Sequence, residues 1–243
     1  MDYREHEVEW TGEKVRRFWD FIGRQTAGHG NYFARQVGDA VVELARAQVR
    51  LGGPVLDYGA GDGSLLQCLL DAGVEPVYAC EYSPEAVEAI NRRFANDPRF
   101  KGCFGVDDLP AIPFEAVFLL EAIEHLAGEG LEGTLAKISR ALKPGGVFVV
   151  TTPNSENLAE GTVACPDCGA VFHRMQHVNS FTPGALSGLL ARHGFEAVFC
   201  GPVWLRDFKP GREIRRLVKK LLGRLERANH PHLVYIGTRM EAA

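Results

Sequence analysis

The chain of 243 residues has no apolar run of the ~18 residues that a membrane-spanning helix requires. Its opening stretch, MDYREHEVEW, is too charged for a secretory signal. A cytoplasmic protein is expected on these grounds. There is no surplus of positive charge either, since 27 Lys and Arg stand against 31 Asp and Glu for a formal net charge of −4. Wrapping nucleic acid as a main task needs a broad positive field, so any RNA role falls to a local patch. The chain also lacks the cysteine density of a disulfide framework. Of its six cysteines, Cys68, Cys80, Cys103 and Cys200 are scattered, and reduced thiols are expected. No internal repeat and no low-complexity tract occurs.

What is present suits one large α/β domain: 46% of the residues are hydrophobic and 24% charged, enough to bury a full core. From residue 54 to 152 short apolar runs (PVLDY, VYACEY, AVFLLEAIEHL, GVFVVTTPN) alternate with helical patterns (SLLQCLLDAG, SPEAVEAINRRFA). Such alternation predicts βαβ units on a mostly parallel sheet. Ser83 followed by Pro84 marks a helix start. Residues 1–50 carry helical and aromatic patterns without strand signals and predict a helical N-terminal cap on a domain spanning 51–243. Within that domain, residues 153–181 read as a long loop, and loops of that length are usually functional. Two late strands, in EAVFCGPVW and HLVYIGTR, predict an antiparallel edge to the sheet.

The segment VLDYGAGDGSLL places Gly59, Gly61 and Gly63 between a buried strand and a helix start, where backbone can approach a ligand closely. Asp57 closes the strand, and Glu81 ends the next one, where an acidic side chain can hold a ribose diol. Together with VDDLP at 106–110, LLEAIEHL and LKPGGVFVVTTPN, these motifs resemble the class I S-adenosylmethionine-dependent methyltransferases, in the family's order over roughly residues 50–240. The resemblance implies a Rossmann-like, seven-stranded sheet and S-adenosylmethionine as cofactor. It places Gly59, Gly61 and Gly63 at the methionine moiety, Glu81 at the ribose, and Val106, Asp107 and Asp108 at the adenine edge. Asp57, Tyr82 and Glu121 complete the cofactor set it implies.

EAIEH puts Glu121, Glu124 and His125 at the carboxyl end of a strand, the edge where open α/β sheets build their sites. Two carboxylates and an imidazole can hold a divalent cation: magnesium or manganese by carboxylate preference, zinc by imidazole. A helix cap or a direct substrate contact is the alternative role for this pair. FHRMQHVNSFT, residues 172–182, is similar without a gap to the segment of small-RNA 3′-terminal ribose methyltransferases that supplies a metal-binding histidine after an E-x-x-E-H motif. Ubiquinone-pathway O-methyltransferases resemble it more distantly. The likeness implies a cation on Glu121, Glu124, His125 and His177 that activates an acceptor hydroxyl. In the competing, metal-free reading, His125 or His177 acts as base. VNSFT stands where the RNA enzymes have an aromatic-acidic run, which points to a hydroxylated small molecule or glycan as acceptor, with RNA second.

CPDCGAVFHRMQH, residues 165–177, packs Cys165, Cys168 and His173 beside His177. CPDCG is a turn that thiolate zinc sites favour, but no second CxxC accompanies it. A structural zinc on Cys165, Cys168 and His173, a redox-sensitive pair and two free thiols all stay open. GREIRRLVKKLLGRLERA, residues 211–228, is predicted to be an amphipathic helix with one basic face. It suits a solvated surface, a peripheral membrane contact or an anionic-substrate patch. Phe18, Trp19, Tyr32 and Phe33 serve either the core or a substrate wall. A non-catalytic, zinc-stabilised binding protein on the same scaffold is the alternative of a different class.

Overall fold

A computed structural model describes residues 3–26, 33–205 and 231–241, and the structural statements below refer to these. In chain order they form β1 (His6–Glu7), α1 (Gly12–Thr26), α2 (Phe33–Gln48), β2 (Val55–Tyr58), α3 (Ser64–Asp71), β3 (Val77–Glu81), α4 (Pro84–Phe94), β4 (Phe100–Gly105) and β5 (Phe114–Leu120). There follow α5 (Gly128–Ala141), β6 (Leu142–Pro153), β7 (Thr162–Ala164), β8 (Ala170–His173), α6 (Pro183–Arg192), β9 (Phe195–Val203) and β10 (His232–Arg239), with single 3-10 turns at Ile123–His125 and Leu158–Gly161.

Seven strands make the central sheet in the order β4-β3-β2-β5-β6-β10-β9. All neighbouring pairs from β4 to β6 are parallel, while β10 is antiparallel to both β6 and β9. The antiparallel strand expected at the edge is thus β10, with β9 outside it. The period-2 alternation of side chains sorts the central strands onto two faces. Val55, Phe118, Val147 and Val149 pack with α2 and α3 on one face, whereas Leu56, Val117, Leu119, Phe148 and Val150 pack with α5 and α6 on the other. Burial on both faces explains why these strands read as unbroken apolar runs. Ser83 caps α4, its hydroxyl accepting from the Ala86 N–H at 3.4 Å, and Thr182 does the same for α6 at 3.2 Å.

Two expectations about the flanks are corrected. The N-terminal segment is not purely helical: β1 pairs in parallel with β8, which pairs antiparallel with β7 in a second, three-stranded sheet. Residues 153–181 accordingly contain a folded hairpin, β7–β8, rather than a bare loop, and the CPDCG turn is closed by N–H groups of Cys165 and Gly169 bonding Ala170 and Cys165 carbonyls. Strand pairing orders this segment. The amphipathic basic segment 211–228 lies outside the described residues, as does Tyr32. No helix among the described residues is long and apolar enough to cross a membrane.

Candidate active site

After β2, β3 and β4 have filled one side of the sheet, the chain returns to place β5 on the other side of β2. The carboxyl ends of β2 and β5 therefore flank the point where strand order reverses, the crevice in which such sheets bind ligands. The glycine turn follows β2, and Glu121 to His125 follow β5. An ideal Cβ on Gly59 would lie 3.7 Å from the Cβ of Ala122, so the two motifs abut.

Gly59, Gly61 and Gly63 all have positive φ, at 79°, 57° and 75°. Gly63 caps α3 in the left-handed region, and a Cβ there would meet the Phe94 ring at 2.9 Å, so conformation and space both demand glycine. Glu81 accepts from the Gly61 N–H at 2.8 Å and the Tyr82 N–H at 2.6 Å, which ties the end of β3 to the turn. Arg35 pairs with Asp62 at 2.7 Å, bracing the turn from α2. Asp57 is 2% exposed, and its Oδ2 has no hydrogen-bond partner among the described residues. Burial first, and then the charges of Glu81 and Asp62, push its carboxyl up to about 8. A buried acceptor facing a turn stripped of side chains is the cradle that a cationic, hydrogen-bonding ligand would fill. Tyr82 is half exposed, and its hydroxyl would lie 3.0 Å from a Cβ on Gly12, so the start of α1 reaches the rim of this crevice. After β4 Asp107 points outward and pairs with Lys137, the Asp108 N–H donates to the Gly105 carbonyl at 2.9 Å, and Val106 packs against the core.

Beside the turn lies a dense set of carboxylates and imidazoles. Glu124, His125 and His177 each bring a donor atom within 4.8 Å of the others. Glu124 is 1% exposed; its Oε2 accepts from the Thr152 hydroxyl at 3.0 Å, and its Oε1 has no hydrogen-bond partner among the described residues. His125 Nε2 stands 3.8 Å from Oε1, too far for a hydrogen bond. His125 Nδ1 is 3.3 Å from the Gln176 carbonyl, which can only accept. A proton on Nδ1 satisfies that carbonyl. Burial, reinforced by His177, lowers His125 to about 3, which keeps the ring neutral.

Glu121 stands outside that triple, a correction to the four-ligand set expected from sequence. It occupies a left-handed conformation (φ 47°), strained for a residue with a side chain, and its N–H donates to both Oγ1 and the carbonyl of Thr151. Its Oε1 is also buried without a partner among the described residues, and burial pushes its carboxyl up to about 7. Burial and the Glu121 charge drive Glu124 well above the usual carboxylate range. Two buried carboxyls with two orphaned oxygens beside a neutral imidazole lack positive charge, and a divalent cation fits that deficit.

The zinc knuckle, one of the three readings of Cys165, Cys168 and His173, is not assembled. His173 pairs with Thr162 at the far end of the β7–β8 hairpin from the cysteine turn, three residues or roughly 10 Å along the strand. It belongs instead with His177 and Glu156. The thiols remain together in the turn, where backbone N–H groups of Cys168 and Asp167 hold Cys165 below the ordinary thiol value.

Two residues, Glu156 and Gln176, escaped the sequence reading. Glu156 Oε2 lies 2.5 Å from His177 Nδ1. Gln176, fully buried with φ 60°, donates to the His125 carbonyl at 3.0 Å and accepts from Trp19 Nε1 at 2.9 Å. Trp19 sets its edge on the His125 ring at 4.7 Å and continues through Phe18 and Trp10 to Phe172 on β8. Trp19 thus walls the site, whereas Phe33 packs on His232. Partners 21 to 157 positions apart leave no spacing signal.

Crevice, glycine turn and strand order define a class I S-adenosylmethionine-dependent methyltransferase fold. The chain belongs to the methyltransferase domain family, whose profile matches residues 28–198. Among curated proteins it is similar to the mouse (Mus musculus) tRNA N(3)-cytidine methyltransferase METTL2, 26% identical over 161 residues, 59% of this chain and 41% of that protein. It is also similar to sterol 24-C-methyltransferase erg6 of Aspergillus fumigatus, 32% identical over 130 residues, 51% of this chain and 31% of that protein. The matched stretches thus span less than half the length of these relatives. The methyltransferase partner in a Haloferax volcanii Trm112 activator complex superposes with a TM-score of 0.65 at 19% identity, covering 94% of this chain and 99% of that one. The glycopeptide N-methyltransferase MtfA bound to sinefungin superposes at 0.60 with 20% identity, covering 88% and 90%.

Proposed function

We propose that the protein transfers the methyl group of S-adenosylmethionine to a hydroxyl oxygen of a small molecule or glycan, beside a divalent cation held by Glu124, His125 and His177. The observation that carries this reading is the orphaned, buried Oε1 of Glu124 next to two imidazoles at the reversal point of the sheet. In the adenosyl crevice Gly59, Gly61 and Gly63 admit the methionine portion, Glu81 receives the ribose hydroxyls, and Asp57 supplies a buried acceptor. Val106 to Asp108 border the adenine, while Tyr82 and Glu121 close the two ends. In the reaction the acceptor oxygen bonds to the methyl carbon as the carbon–sulfur bond breaks, the sulfonium becomes a neutral thioether, and the hydroxyl proton departs to base or water. The cation supplies Lewis acidity at the hydroxyl when bound. Two imidazoles with one carboxylate favour zinc, manganese or iron over magnesium. Trp19 and its aromatic neighbours shield His125 from water, and α1 roofs the crevice.

A ribose hydroxyl of RNA is the second reading, supported by the tRNA-methylating relatives and by the likeness of residues 172–182 to RNA ribose enzymes. The test is transfer of labelled methyl to panels of diols, glycans and RNA 3′ ends by chelated and cation-restored protein. Transfer to a diol or glycan that vanishes on chelation and returns with manganese or cobalt is expected. Full transfer by chelated protein would remove the cation and leave His177 as a simple base.

A further inference from the structure

His177 has two ring nitrogens, and which of them carries the proton decides what it can do. We propose that Glu156 is the positioning residue that fixes His177 as its Nδ1–H tautomer, with His173 bracing the far side of the Glu156 carboxylate. The proposal rests on the reading of His177 as an acceptor-site group and concerns how that group is prepared.

The hydrogen-bond inventory settles the protons one after another. Glu156 Oε2 lies 2.5 Å from His177 Nδ1, and a carboxylate accepts, so Nδ1 holds the proton and Nε2 keeps its lone pair. His173 is set the opposite way. Its Nδ1 accepts from the backbone N–H groups of Met175 at 3.4 Å and His177 at 3.2 Å, so its proton is on Nε2, which faces Glu156 Oε1 across 3.7 Å, an electrostatic contact beyond hydrogen-bond reach. That tautomer cannot offer Nε2 to a metal. Glu156, His173 and His177 therefore form an orienting chain rather than a second cation site, although their donor atoms lie within 4.8 Å of one another.

The chain is held from outside. The two imidazoles stack at 4.6 Å with 22° between planes. Gly161 lies under the His173 ring so closely that a Cβ there would fall 1.7 Å from Nε2. The Glu156 carbonyl accepts from the Ser180 hydroxyl at 2.7 Å, and the Ser155 N–H donates to the Phe181 carbonyl at 2.9 Å, which pins the chain on both sides of the carboxylate. With His125 fixed by the Gln176 carbonyl, both acceptor-site imidazoles present Nε2. A carboxylate behind a ligating imidazole sets its tautomer and its orientation, and losing such a partner typically weakens metal binding by about 10–100-fold.

The experiment is nitrogen-15 NMR of the histidine rings in the full chain, with cobalt(II) titration as a parallel readout. Parent protein and Glu156→Gln, which keeps one acceptor oxygen, should both show His177 as Nδ1–H. Glu156→Val should show a mixture or Nε2–H, with cobalt affinity lower by about 10–100-fold and largely recovered in the Gln variant. Gly161→Ala, which displaces the His173 ring without touching Glu156, should shift the His177 resonances by a smaller amount. An Nε2–H proton in the parent, or an unchanged Nδ1–H in Glu156→Val, overturns the proposal; an unchanged His177 spectrum in Gly161→Ala overturns the part given to His173. A parent that takes up no cobalt while its His177 tautomer still depends on Glu156 upholds the positioning role and removes the cation reading.

Discussion

The two halves of the crevice satisfy their charges by opposite means. On the glycine side, Glu81 has both oxygens engaged by backbone N–H groups of Gly61 and Tyr82, so its charge is solvated by main chain before any ligand arrives. On the side that follows β5, Glu121 and Glu124 each keep a buried oxygen without a partner among the described residues, and the Glu124 carboxylate accepts from the Thr152 hydroxyl. A turn can solvate an anion with its own N–H dipoles because those dipoles converge where left-handed residues curl the chain. A strand end and a hairpin offer side chains instead, and here too few of them are positive. The first half is thus solvated largely by its own main chain, with Asp57 as the exception, whereas the second keeps two orphaned carboxyl oxygens.

The sharpest way to break this contrast is Glu124→Ala. It should weaken cobalt(II) binding by more than about 100-fold, beyond the ~10–100-fold typical of losing a supporting partner, while calorimetry finds affinity for S-adenosylhomocysteine unchanged. Equal losses of both ligands would show that the halves are one unit. The converse, Glu81→Ala, should cost about 1.5–3 kcal/mol of adenosyl binding and leave cobalt affinity as it was, since it removes hydrogen bonds to a charged group.

Asp57→Asn probes the one exception on the glycine side, a carboxyl that main chain does not solvate. Its pKa is raised in the folded protein, so its cost to stability is absent below its ordinary value of 3.8 and grows as pH rises toward about 8. Each pH unit in that window costs the parent up to about 1.4 kcal/mol. The variant should therefore melt higher than the parent at pH 8, the two curves should converge toward pH 4, and adenosyl affinity should fall. A constant gap across pH would show that Asp57 is paired. The smallest effect is expected from Cys165→Ser with Cys168→Ser. Strand pairing orders the hairpin, so stability should stay within about 0.5 kcal/mol and bound zinc, read by elemental analysis, should match the parent.

Legibility in the sequence followed the distance over which each feature is encoded. The glycine turn, Asp57, Glu81 and the Ser83 cap all fall within thirty residues of one another, inside consecutive strand–helix units where spacing and chain direction leave little freedom. The apolar alternation likewise prescribed a parallel sheet, because strands covered on both faces must be apolar throughout. The hairpin of residues 162–173 read as a loop because its strands are three and four residues long and two of the five pairings of β8 are with β1, more than 150 positions away.

His177 was legible by likeness, but its partners were not. Glu156 looks like any surface glutamate, and Trp19 and Gln176 look like core. The amino-acid sequence by itself determined a methyltransferase sheet with an adenosyl crevice, since local hydrogen bonding and periodicity suffice for both. Only the tertiary structure decided that His173 turns away from the cysteines toward Glu156 and that Glu121 stands outside the Glu124, His125 and His177 triple. A tautomer and a donor set depend on which side chains meet after the strands are paired, and pairing between distant segments leaves no period in the chain.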